Sequence, residues 1–106
     1  MGKLFYGSNG TSATFDDRCL AHVRTVIVSK LRRDEKFMFS WEHESGRGEA
    51  RCSVWLHPAI EIQFAFDSAE RIPLNRAWIE AMMDTANSGD GLRVVPEPVP
   101  VAAARR

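Results

Sequence analysis

The chain runs 106 residues, 44% hydrophobic and 26% charged, with 14 basic side chains against 14 acidic ones. That is the length of one domain, able to bury ~60–70% of its unfolded surface without covalent staples, and the composition of a folded rather than a disordered or membrane-embedded chain. The balanced charge conceals a split, since residues 1–33 carry six basic against two acidic side chains (net +4) and residues 34–104 six against twelve (net −6); a dedicated duplex-DNA binder has a strong overall basic excess instead.

In chain order, Lys3–Tyr6 and Ser12–Phe15 read as the arms of a short hairpin around Gly7-Ser8-Asn9-Gly10, because Asn-Gly tolerates the positive φ of a tight turn. A helix is predicted from about Asp16 to Arg33, with Thr14 or Asp16 as N-cap. Leu20, Val23, Ile27 and Leu31 step by helical spacing along one face, broadened by Cys19 and Val26. Arg18, His22, Thr25, Ser29 and Arg32 fall on the opposite side, and Lys30, Arg32 and Arg33 complement the dipole at the C-terminal end.

Three strands are predicted next. Phe37, Phe39 and Trp41 alternate with Met38, Ser40 and Glu42 within Lys36–His43, and Glu44 to Gly48 turns the chain. In Ala50–His57, Cys52, Val54 and Leu56 oppose Arg51, Ser53, Trp55 and His57, so Trp55 is the aromatic expected outside. After Pro58, which removes a ladder donor, Ile60, Ile62, Phe64 and Phe66 alternate with polar neighbours. The run reads as a three-stranded antiparallel meander. A second helix opens at Asn75 as N-cap and runs to about Asn87, with Trp78, Ile79, Met82, Met83 and Ala86 on its apolar side and Gly89-Asp90-Gly91 as the stop. Leu92–Val95 is a last short strand. The order β-β-α-β-β-β-α-β implies an α+β fold, a mainly antiparallel sheet with two helices packed on it. A single domain is expected over 1–95, and a Pro-rich, mobile tail over 96–106.

Motifs that carry chemistry are absent. His22, His43 and His57 show no metal-ligand spacing with one another or with the cysteines. No serine sits in a Gly-x-Ser-x-Gly elbow, and neither Gly46-Arg47-Gly48 nor Gly89-Asp90-Gly91 joins a strand to a helix as a phosphate cradle does. No catalytic, cofactor-binding or metal residue is therefore assigned, and no cofactor. Two cysteines are too few for a disulfide scaffold, no apolar run reaches the ~20 residues of a bilayer span, and Met1–Tyr6 lacks the apolar core of a leader. A cytoplasmic location without membrane contact is the expectation.

Several stretches carry a resemblance: Thr14-Phe15-Asp16-Asp17-Arg18, Lys30-Leu31-Arg32-Arg33, Phe39-Ser40-Trp41, Val54-Trp55-Leu56-His57-Pro58, Asn75-Arg76-Ala77-Trp78-Ile79-Glu80 and Gly91 to Pro98. Over roughly residues 2–98 the chain resembles a family of short actinobacterial proteins with a domain of unknown function, whose members often bear the automatic label "ATP-dependent DNA ligase". Such ligases resemble one another in a Lys-x-Asp-Gly motif whose lysine takes the AMP, and neither Lys3, Lys30 nor Lys36 stands in one. The resemblance implies a bacterial cytoplasmic protein and no activity.

The expected function is a small non-catalytic interaction module, binding a protein partner or a second copy of itself, since oppositely charged patches on one domain steer association. Arg76, with Trp55 and Trp78, is the candidate interaction patch, the composition enriched in binding hot spots; a local Arg76–Glu80 pair is the alternative for that arginine. Lys30, Arg32, Arg33, Arg47 and Arg51 form the candidate basic patch for the second hypothesis, weak nucleic-acid binding or an accessory role beside a DNA ligase, which is not favoured.

Overall fold

The two helices begin where their caps stand. In the computed structural model, which describes residues 1–8, 10–45 and 48–99, α1 spans Asp17–Arg32 and α2 Arg76–Ala86. The Asp16 carboxylate accepts the Cys19 N–H at 2.8 Å, and the Asn75 amide oxygen accepts the Ala77 N–H at 3.1 Å. Each bond satisfies a donor that the first helical turn leaves orphaned. The buried face of α1 carries Cys19, Leu20, Val23, Val26 and Ile27 of the predicted stripe, joined by His22 and Lys30, while Leu31 is only half-buried.

The six strands are β1 (Gly2–Tyr6), β2 (Thr11–Phe15), β3 (Phe37–Ser45), β4 (Gly48–Leu56), β5 (Ile62–Ala65) and β6 (Leu92–Arg93). The α+β class and the element order are those the sequence implies. The first hairpin pairs Gly2 with Phe15 through to Tyr6 with Thr11; Gly7 and Gly10 take positive φ in its turn, and Asn9 lies outside the described residues. The second hairpin is longer than its alternation suggests, pairing Phe37 with Leu56 through to Ser45 with Gly48. Of the loop expected there, Gly46 and Arg47 lie outside the described residues.

The meander does not form. The strands make two sheets, β2-β1-β5 and β4-β3-β6, with β5 antiparallel to β1 and β6 parallel to β3. Behind β4, the His57 ring accepts the Ala59 N–H, the Ile60 N–H returns to the His57 carbonyl, and this turn carries the chain away from its own hairpin. The Gly7 N–H then donates to the Glu61 carbonyl at 2.9 Å, latching β5 beside β1. Alternation specifies which face of a strand is buried; it is blind to the strand lying alongside.

The core lies between the helices and the inner faces of the two sheets. Phe39 is fully buried at its centre, its ring 6.1 Å from that of Phe15 and 5.2 Å from that of Trp41. Leu4, Leu20, Ile27, Leu56, Met82 and Leu92 are equally enclosed; burial of each such side chain is worth ~1.5–3 kcal/mol. Gly91 (φ +84°) packs against β3 so closely that a Cβ would collide with the Met38 carbonyl oxygen, so this position takes only glycine. Contacts run past the domain end expected at residue 95, because Glu97 and Pro98 bind both helices. Residues 100–106, the rest of the expected tail, lie outside the described residues. No helix among the described residues is long and apolar enough to cross a membrane.

Candidate functional site

Two places gather polar side chains. The first is a network joining both helices to the segment after β6. The Arg18 guanidinium forks onto Glu97, Nε to Oε1 at 2.9 Å and Nη2 to Oε2 at 2.6 Å, and its Nη1 donates to the Pro73 carbonyl at 3.0 Å. Asn75 Nδ2 donates to Glu97 Oε2 and to the Pro98 carbonyl, both at 2.9 Å. Held by Arg18 first and Asn75 second, the Glu97 carboxyl is lowered to about 2.

Beneath this clasp lies His22, which helical spacing places on the polar side of α1 and which the fold buries completely. Its Nε2 is 2.7 Å from the Asn75 nitrogen, whose N–H can only donate, and its Nδ1 is 2.7 Å from the Arg18 carbonyl, which can only accept. The ring is therefore the neutral tautomer with its proton on Nδ1. Both nitrogens are committed to backbone, so this histidine has neither a lone pair nor a proton to offer a substrate. The network is a clasp for the helices. Sequence spacing misses it because its partners are separated by 53 and 79 residues.

Trp78 belongs to the same region and not to an exposed patch. It is 6% exposed, stacks at 4.5 Å on His22, and donates from Nε1 to the Val95 carbonyl at 2.7 Å. Its position in the first turn of α2 turns the indole onto α1, so the patch expected of Arg76, Trp78 and Trp55 is not assembled as such. Arg76 stands out in solvent, paired across one helical turn with Glu80 at 3.3 Å.

The candidate basic patch also disperses. Lys30 is 5% exposed; its ammonium donates to Asn87 Oδ1 at 2.8 Å, meets Glu35 at 2.7 Å and lies 5.4 Å from the Phe37 ring centroid. This pairing lowers the Glu35 carboxyl. Arg33 caps α1 and also meets Glu35, while Arg32 is exposed at the helix end. Arg51 lies on β4, five residues along from the Leu56 that pairs with Phe37, or about 17 Å at strand spacing. Arg47 lies outside the described residues.

The second place is the outer face of β3 and β4, where Trp55 is 54% and Met38 38% exposed, side by side in register. The next row is Ser40 with Ser53, hydroxyls 2.7 Å apart, flanked on β6 by Arg93; the row beyond pairs Glu42 with Arg51. Along this edge of the sheet a cleft of about 350 Å³ is lined by Ser40, Trp41, Glu42, Arg51 and Arg93 together with Phe15, Val94 and Val95. Trp55 is where alternation puts it, outside.

Cys19 joins neither place as an activated thiol, because burial pushes it up to about 11. Among the described residues no three His, Cys, Asp or Glu side chains are grouped to hold a metal ion. Residues 1–97 match the domain of unknown function DUF7882. The chain belongs to that family. The match ends at Glu97, so this DUF7882 domain takes in the carboxylate that closes the clasp. No curated protein and no solved structure matches the chain.

Proposed function

We propose that this DUF7882 domain is a non-catalytic interaction module that docks a protein partner on the outer face of β3 and β4. The observation that carries this is the contrast among the three tryptophans, Trp41 and Trp78 at 7% and 6% exposed against Trp55 at 54%. Leaving half an indole in water forgoes ~2 kcal/mol of burial, and tryptophan, arginine and methionine are the side chains enriched where partners dock. Arg51 and Arg93 stand on the same face, so the matching surface is a protein segment presenting apolar and carboxylate side chains. The scatter of the basic side chains over α1 and β4 supports a protein over a nucleic acid, whose phosphates need a continuous run of cations. It lends no support to an accessory role beside a DNA ligase.

The test compares wild type with Trp55→Ala in affinity capture and in size-exclusion chromatography with light scattering, at low and high salt. Binding that disappears in the variant at unchanged thermal stability is the expected result. A partner other than a second copy of the chain, retained at full strength by Trp55→Ala, overturns the proposal, as does binding that requires only Arg32 and falls steeply with salt on oligonucleotides.

A further inference from the structure

β4 is an edge strand of nine residues, with β3 along one side and no strand along the other among the described residues. Two contacts reveal where its backbone groups point. The Tyr6 hydroxyl donates to the Trp55 carbonyl, and on β3 the Met38 carbonyl, in register with Trp55, faces Gly91. Met38 and Trp55 are thus a non-hydrogen-bonded pair of their ladder, each with N–H and C=O turned outward. Antiparallel alternation then turns the backbone groups of Ser53, Arg51 and Glu49 to the free edge as well. Tyr6 covers the edge at its Trp55 end; from Glu49 to Ser53 no strand among the described residues lies along it. Charged side chains normally guard such an edge, except where the facing strand sets an opposite charge against each of them. Here the side chains at the open positions are an acid, a base and a hydroxyl.

We propose that this edge pairs with a second copy of the chain, β4 against β4, antiparallel about a two-fold axis at Ala50. In that register Glu49 lies opposite the second copy's Arg51 and Arg51 opposite its Glu49, each a hydrogen-bonded pair that exchanges both backbone bonds and sets opposite charges side by side. Ala50 meets itself in a non-hydrogen-bonded pair, the closest approach of an antiparallel ladder, where a methyl group fits, and Cys52 faces the second copy's Gly48. Other registers do worse. Centring on Arg51 sets that arginine against itself, which is destabilising. Centring on Cys52 or Ser53 brings the second copy onto the Trp55 position that Tyr6 covers and sets no acid against a base. The axis stands perpendicular to the sheet, so both copies present their Trp55 faces on one side. The pairing uses the edge of the hairpin and not that face, and so goes beyond the function proposed above.

Charge swaps and one cross-link test it. Glu49→Arg and Arg51→Glu each set like charges together on both sides of the axis and weaken the dimer about tenfold or more by sedimentation equilibrium; the double variant E49R/R51E restores it. Ala50→Cys, in a Cys52→Ser background, forms a symmetric disulfide on mild oxidation, because the separation at a non-hydrogen-bonded pair matches disulfide geometry. Trp55→Ala leaves the dimer intact. A chain monomeric at millimolar concentration overturns the pairing, and so does a dimer indifferent to the swaps and without the Ala50→Cys cross-link. A dimer lost in Trp55→Ala but kept in Glu49→Arg moves the contact to the face, refuting the edge while sustaining the docking face.

Discussion

Asn75→Ala removes three things at once, and the structure allows each to be sized. Loss of the Ala77 cap costs ~1 kcal/mol. Loss of the hydrogen bond to the ionised Glu97 costs ~1.5–3 kcal/mol and of that to the Pro98 carbonyl ~0.5–1.5 kcal/mol. These share partners and do not add fully, so about 3 kcal/mol is expected, against a total of ~5–15 kcal/mol for a domain. At ~4–8 °C per kcal/mol for a chain of this size, the melting temperature falls by about 12–24 °C. The assay is urea denaturation followed by circular dichroism, with Asn75→Ser beside it. Serine retains an oxygen for the cap but cannot reach Glu97 and Pro98, so it recovers about 1 kcal/mol of the loss. If Asn75→Ser proves as stable as wild type, the clasp contributes nothing and the reasoning fails; if Asn75→Ala is within 0.5 kcal/mol of wild type, the cap fails too.

Acid acts through the same clasp. The Glu97 carboxyl is lowered to about 2, so its contribution is present above its unfolded value near 4.5 and is lost as the pH falls toward 2; Glu35, lowered by Lys30, acts in the same direction. Stability measured between pH 5 and 2 therefore drops less steeply in Glu97→Gln than in wild type, and equal slopes would contradict the clasp. Gly91→Ala drives a methyl into the Met38 carbonyl at a positive φ and costs ~2–4 kcal/mol by urea denaturation; a neutral effect would show that β6 does not need this approach to β3. With a thiol reagent the half-buried Cys52 labels first, and the buried Cys19, its thiol up at about 11, labels only on unfolding; fast labelling of Cys19 in the native protein would refute its burial.

What could be read from the sequence was whatever local rules govern. The helix ends follow from Asp16 and Asn75, whose side chains bond donors two or three residues away, and the exposed face of β4 follows from a two-residue period. Partnership across the chain was not legible. Nothing in Ile62–Ala65 distinguishes pairing with β4 from pairing with β1, because both bury the same side chains. His22 and Lys30 are polar side chains in the interior, and what makes their burial tolerable, Asn75 for one and Asn87 with Glu35 for the other, includes residues more than 50 positions away. Trp78 went the same way: an indole in a first helical turn points to a core or to a partner with equal ease until the neighbouring helix is in place.

The clasp also sets a schedule. Arg18 waits for a carboxylate 79 residues downstream, and His22 for an amide 53 residues downstream. At ~5–20 residues per second on a ribosome, Arg18 is made roughly 4–16 s before the Glu97 that receives it. During that interval the apolar stripe of α1 has the strands and, late on, α2 to lean on, while the ion pair that locks it down is still to come. Truncations that stop short of Glu97 should consequently leave a nascent domain whose helices are formed but unlocked, dependent on chaperones in a way a chain that includes Glu97 is not.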